Sequence, residues 1–170
     1  WTALQWAASE RHYDCIRYLL YNNANKNVGI ATGEPPAYLF CISDPAKKQY
    51  IEDEMFNRLL TGENVNSKGR DGWTAAHLIA KEGYLAKKDL GLDYYFFDRF
   101  MGKGGEINAQ TNHGWTPLML AAKNGHYALL PQFKINEPYW AQSDIQNKDG
   151  NTALMIAAEY GHADICKTLI

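Results

Sequence analysis

Asp71-Gly72-Trp73-Thr74-Ala75-Ala76-His77-Leu78-Ile79-Ala80 returns in register as His113-Gly114-Trp115-Thr116-Pro117-Leu118-Met119-Leu120-Ala121-Ala122. It returns again as Asp149-Gly150-Asn151-Thr152-Ala153-Leu154-Met155-Ile156-Ala157-Ala158. The chain opens on a further copy without its first residues, Trp1-Thr2-Ala3-Leu4-Gln5-Trp6-Ala7-Ala8. A degenerate copy, Gly33-Glu34-Pro35-Pro36-Ala37-Tyr38-Leu39-Phe40-Cys41, fills the gap. Thr2 to Pro35 is 33 residues, and the later steps are 39, 42 and 36. Self-similarity at such a period implies stacked units, each too small to bury its own apolar face.

The residues of each copy predict helices. A threonine at the start can cap a helix by accepting a bond from an orphan backbone N–H. The small pairs that follow (Ala7-Ala8, Ala121-Ala122 and Ala157-Ala158) allow neighbouring helices to approach closely. Gly125-His126 and Gly161-His162 place a glycine where a first helix would end in the left-handed region. Ile16 and Leu20, four residues apart, give a second helix its buried stripe. The predicted fold is all-α, a solenoid of stacked helix-turn-helix units.

These motifs resemble the ankyrin-repeat family, whose unit is a hairpin turn followed by two antiparallel helices with a Thr-Pro-Leu-His-x-Ala signature. The resemblance covers nearly the whole chain. It implies one array of five repeats, at about 1–30, 31–68, 69–110, 111–146 and 147–170. The chain begins inside a motif, so it is read as an internal piece of a longer protein.

Repeats two to four depart from the pattern. Repeat two carries Pro35-Pro36 and Phe40-Cys41, and its second helix is expected late, at about 50–60, after residues 44–48. That weak pattern makes it the expected weak point of the array. In repeat three, residues 85–101 replace a standard second helix and include Tyr94-Tyr95-Phe96-Phe97 and Phe100. Such a run either fills a wide gap in the core or faces a partner, and four wet aromatics would be costly. In repeat four, Pro131 requires the second helix to stop early or kink. Tyr139 and Trp140, behind Glu137-Pro138, read as core filling and as a partner-facing loop equally well.

Composition narrows the functional classes. With 46% hydrophobic and 21% charged residues, the chain is an ordinary globular one. A net charge of −2 gives no basic face for nucleic acid or an anionic membrane. No apolar run reaches the ~18–20 residues that cross a bilayer. Cys15, Cys41 and Cys166 lack metal-ligand spacing and read as reduced, buried thiols, which suits a cytoplasmic protein. The run Glu52-Asp53-Glu54 lacks calcium-loop spacing and reads as a solvated helix face. No phosphate-binding loop, nucleophile elbow or dinucleotide fingerprint occurs. Of five histidines, His12, His126 and His162 share one turn position. His77 occupies the signature histidine, which in the family bonds across neighbouring hairpins, and only His113 is unexpected. No catalytic, cofactor or metal site is expected.

The family resemblance implies a concave binding face of hairpin tips and first helices. The tips place Arg70, Asp71 and Trp73, then Asn112, His113 and Trp115, then Lys148, Asp149 and Asn151 on it. The helices add Lys81 and Glu82, Lys123 and Asn124, then Glu159 and Tyr160. Tyr139 and Trp140 join as insertion residues. Trp1, Trp73 and Trp115 share one position, and such rings can pack against a hairpin or anchor a partner. The expected function is a monomeric protein-binding module. The alternatives are a dedicated inhibitor or immunity-type protein, and the recruiting arm of a larger enzyme or secreted effector.

Overall fold

Each first helix begins where extended backbone meets a threonine. Thr2, Thr74, Thr116 and Thr152 all have β-region φ/ψ. The hydroxyls of Thr2, Thr116 and Thr152 accept N–H bonds from the third residue of the helix, at 3.3, 3.3 and 3.4 Å. Degenerate repeat two instead starts its helix on Pro36, whose fixed φ suits a first helical position and whose missing N–H would have been an orphan there.

The computed structural model describes residues 1–32, 34–42, 55, 58–83, 96–135 and 137–170. Within them the chain is helical, with no strand among the described residues. The helices are α1 (Ala3–Ser9), α2 (Tyr13–Tyr21), α3 (Pro36–Ile42), α4 (Ala75–Glu82), α5 (Phe96–Gly102), α6 (Pro117–Lys123), α7 (Leu130–Phe133), α8 (Ala153–Glu159) and α9 (Ala163–Leu169). First helices pack in order, α1 on α3, α3 on α4, α4 on α6 and α6 on α8. The second helices form another layer, in which α5 meets α7, while α2 and α9 pair with α1 and α8.

Small residues set the spacing of the inner row. Ala8, Ala76, Ala80, Ala121, Ala122 and Ala157 are completely buried, so neighbouring helices meet with almost no side chain between them. The outer row needs bulk. Phe97, Phe100 and Phe133 are fully buried there, and the Phe97 and Phe133 rings lie 4.6 Å apart. Phe97 and Phe100 are thus core residues.

In repeats one and three a single position ties one hairpin to the next. In repeat three, His77 Nδ1 accepts the Thr74 N–H at 3.1 Å, which leaves Nε2–H to donate to the Trp115 carbonyl at 2.9 Å. Gln5 makes the same pair of bonds in repeat one. Its Oε1 accepts the Thr2 N–H at 2.7 Å and its Nε2 donates to the Glu34 carbonyl at 3.0 Å. Met119 keeps only the intrahelical half, its sulfur lying 3.4 Å from the Thr116 nitrogen.

The turn histidines supply a second set of rungs. His126 Nε2 bonds the Lys81 carbonyl at 2.8 Å, and His162 Nε2 bonds the Lys123 carbonyl at 3.0 Å. Each imidazole thereby reaches back to the end of the preceding first helix, whose last carbonyls would otherwise be orphans. Gly125 ends α6 with φ 73°, and a Cβ there would stand 2.7 Å from His162 Cε1. Gly125→Ala is therefore expected to cost about 2 kcal/mol, combining left-handed strain with displacement of the imidazole. Denaturant unfolding with a midpoint near that of the parent would contradict it.

Repeat one meets the same backbone demand with Arg11, at φ 54°. Its guanidinium lies over the Phe40 ring at 4.9 Å and donates to the Phe40 carbonyl, so an arginine is held where glycine is usual.

Two expectations are revised or refined. Cys15 is exposed and Cys166 half-exposed, leaving only Cys41 buried. Cys15 precedes the buried Ile16, and one helical step turns its side chain off the core face. Pro131 divides the second helix of repeat four. A 3₁₀ turn (Tyr127–Leu129) leads into α7, which stops at Lys134 with φ 43°. Residues 44–48, the acidic run 52–54, most of the helix expected over 50–60, and residues 85–95 with Tyr94 and Tyr95 lie outside the described residues.

Candidate functional site

The hairpins that carry the tip residues are closed by matching bonds. Gly69 N–H donates to the Trp73 carbonyl at 2.7 Å, Thr111 to Trp115 at 3.0 Å, and Asn147 to Asn151 at 3.0 Å. Neighbouring tips are also joined. Asn112 N–H donates to the Asp71 carbonyl at 2.7 Å, and Lys148 N–H to the His113 carbonyl at 3.1 Å. This close approach requires Gly114, because a Cβ there would lie 2.8 Å from the Lys148 nitrogen. The tips of repeats three, four and five are thus one hydrogen-bonded strip, and their outward side chains are held in fixed register.

Behind the strip, Trp73 and Trp115 are half-buried with one side packed on the core. A lysine from the first helix of the same repeat stands near each ring, whose remaining surface is open to solvent. Lys81 Nζ lies 5.7 Å from the Trp73 ring centre, and Lys123 Nζ lies 5.1 Å from that of Trp115. Lys123 also faces the Tyr160 ring at 5.4 Å. An ammonium over an aromatic face gains about 0.5–1 kcal/mol at an exposed site, enough to bias where each lysine rests.

Between the two Trp–Lys pairs the surface opens into a cavity of about 300 Å³. Trp73, Lys81, Trp115 and Lys123 form its sides, His113 and Asn124 contribute polar groups, and Thr111 and Leu120 complete the lining. Thr111 and Leu120 were not anticipated. Thr111 accepts the His113 and Trp115 N–H groups and so shapes the turn. Leu120 lies one helical turn after Thr116, a position occupied by Trp6, Leu78 and Ile156 in other copies.

The remaining expected residues are placed around this cavity or away from it. Arg70, Asp71, Asn112, Lys148 and Asp149 are exposed on the tips, with Asn151 half-exposed behind them. Glu82 lies 3.5 Å from Lys81 Nζ, and Glu159 is exposed at the end of α8. Trp140 lines a different surface, where it is half-buried against the core under Lys134 at 4.1 Å, and its carbonyl accepts the Asn108 amide. Tyr139 beside it is 91% exposed, with a φ of 69°.

The arrangement offers aromatic faces, cations and hydrogen-bond donors. Among the described residues, no cluster of three His, Cys, Asp or Glu side chains could hold a metal. No described helix is long and apolar enough to cross a membrane.

Comparison with known families agrees with the repeat geometry. A model described as ankyrin repeats in three copies matches residues 46–130 and 88–170, and a single ankyrin-repeat model matches residues 1–30. No curated protein matches the chain. Ankyrin repeats are in general protein–protein interaction modules. With matches over most of its length and helix pairs stacked in series, this chain belongs to the ankyrin-repeat family.

Proposed function

We propose that this chain is a protein-binding module that holds its partner on the concave strip of repeats three to five. The observation that supports this most is the open cavity between Trp73 and Trp115, with rigidly joined tips above it. Half-buried aromatics on a scaffold that need not reorganise have the features of interface anchors. In this reading residues 1–170 act as one continuous array, as a monomer, in a reducing compartment such as the cytoplasm.

Co-purification from the source cell followed by titration tests the proposal. Trp73→Ala combined with Trp115→Ala is expected to weaken the partner's affinity about tenfold or more, a loss of at least ~1.4 kcal/mol. Unchanged affinity with lowered thermal stability would mean that the rings only pack.

A finer version, a dedicated inhibitor of one enzyme, draws support from the insertion that presents Tyr139. The same experiment separates it, since an inhibitor returns one stoichiometric enzyme whose activity falls on complex formation.

A further inference from the structure

Trp1, Trp73 and Trp115 hold one position in their repeats, yet their indole N–H groups have different fates. Trp1 Nε1–H donates to the Glu34 carboxylate at 2.9 Å. The indole N–H groups of Trp73 and Trp115 have no acceptor among the described residues. In those same two repeats a lysine stands over the ring, eight residues along the chain. Repeat one has Ser9 at that place and repeat five has Glu159.

The cavity between the two pairs is lined by two lysines and a histidine, with no carboxylate in its lining. Glu82, which faces Lys81, is outside the lining, and Lys123 has no carboxylate partner among the described residues. The lining thus carries two ammonium groups and no carboxylate, so its charge is unbalanced. The fold shows in repeat one what kind of group satisfies a tryptophan at this position.

Resting on the proposed docking role of this face, we infer that the cavity receives an acidic side chain, Asp or Glu, from the partner protein. The carboxylate is taken up between Lys81 and Lys123, and an adjacent apolar residue covers the Trp73 and Trp115 rings. An oligonucleotide suits the face less well. Its successive phosphates would run along a strip that also carries Asp71, Asp149 and Glu159 on a chain of net charge −2.

Random dodecapeptides displayed on phage and selected on the immobilised 170-residue chain supply the probe. The selected peptides are expected to share an Asp or Glu beside a large apolar residue. Their affinity should fall about tenfold or more with Lys81→Ala plus Lys123→Ala, and stay within about twofold with Lys148→Ala on the tip. Lys123→Glu should recover affinity for a peptide whose acidic residue is changed to Lys. All these lysines are at the surface, and circular dichroism of each variant confirms its fold.

Selected peptides that depend on Trp73 and Trp115 but carry no acid would overturn this inference while leaving the docking face intact. Failure to obtain any peptide sensitive to the lysines overturns it as well. Peptides insensitive to both the tryptophans and the lysines would remove the docking face itself. A 20-nucleotide duplex bound through Lys81 and Lys123 would assign the site to phosphate instead.

Discussion

Phe133→Ala is expected to destabilise the array by about 3–5 kcal/mol, the usual cost of emptying a fully buried phenylalanine site. Phe133 has no exposed surface, and it packs against Phe97 of the preceding repeat. It closes α7, a helix of only four residues that carries Pro131 in its first turn and ends at the left-handed Lys134, so little backbone structure exists to replace the ring. Its carbonyl also accepts the Ala141 N–H at 3.2 Å, linking the ring's position to the return of the chain. Because stability in a stacked array is a sum of repeat and interface terms, the loss should concentrate between repeats three and four. Urea unfolding would give the total, and amide exchange at residues 97–102 and 129–133 would localise it. A loss below about 1 kcal/mol would show that the aromatic contact is dispensable.

Acid is expected to weaken the protein through His77. Burial pushes the His77 imidazole down to about 4 from its usual 6.5, and the Lys68 charge pushes the same way. The Thr74 N–H also favours the neutral form, while the Trp115 and Ala109 carbonyls act against burial and favour the charged one. Nδ1 must remain an acceptor for the Thr74 N–H while Nε2–H serves the Trp115 carbonyl. Between pH 6.5 and about 4 the unfolded chain binds a proton at this residue that the folded chain refuses. Stability from this group is therefore complete above pH 6.5 and is lost progressively as pH falls toward 4, by on the order of 3 kcal/mol.

His77→Gln isolates the effect. Gln5 already makes the same two bonds with a side chain that does not titrate. The variant should match the parent within about 1 kcal/mol at pH 7.5 and become the more stable of the two near pH 4.5. Carboxylates that titrate in this range are shared by both proteins and cancel in the difference. Parallel stability curves for parent and variant would contradict the account.

Much of the fold could be read from the chain because local signals agreed with stacking. Threonines at Thr2, Thr116 and Thr152 cap helices, Gly125 and Gly161 end them at φ 73° and 76°, and the alanine pairs mark where helices touch. The role of His77 followed from its place in the signature. The turn histidines were located correctly as a set, but their bonds to Lys81 and Lys123 carbonyls depend on the offset between repeats, which spacing alone does not reveal. Cys15 departs from the expected burial because it sits beside the core residue Ile16 in sequence, while 100° per residue on a helix decides exposure.

The candidate site was legible only as a stripe of positions. Trp73 with Lys81 and Trp115 with Lys123 repeat an eight-residue interval that is visible in the sequence. That each ammonium lies over a ring, and that Thr111 and Leu120 complete a cavity between the pairs, arises from packing two repeats side by side. Tyr139 and Trp140 were adjacent and looked alike, yet one backbone residue at φ 69° sends Tyr139 outward while Trp140 packs on the core.

Amide hydrogen exchange on the chain with and without its co-purified partner tests the central claim most directly. Added protection should appear at residues 71–73, 81–82, 113–115 and 123–124. Protection confined to the outer layer of second helices, with those four stretches unchanged, would show that the partner is held somewhere other than the concave strip.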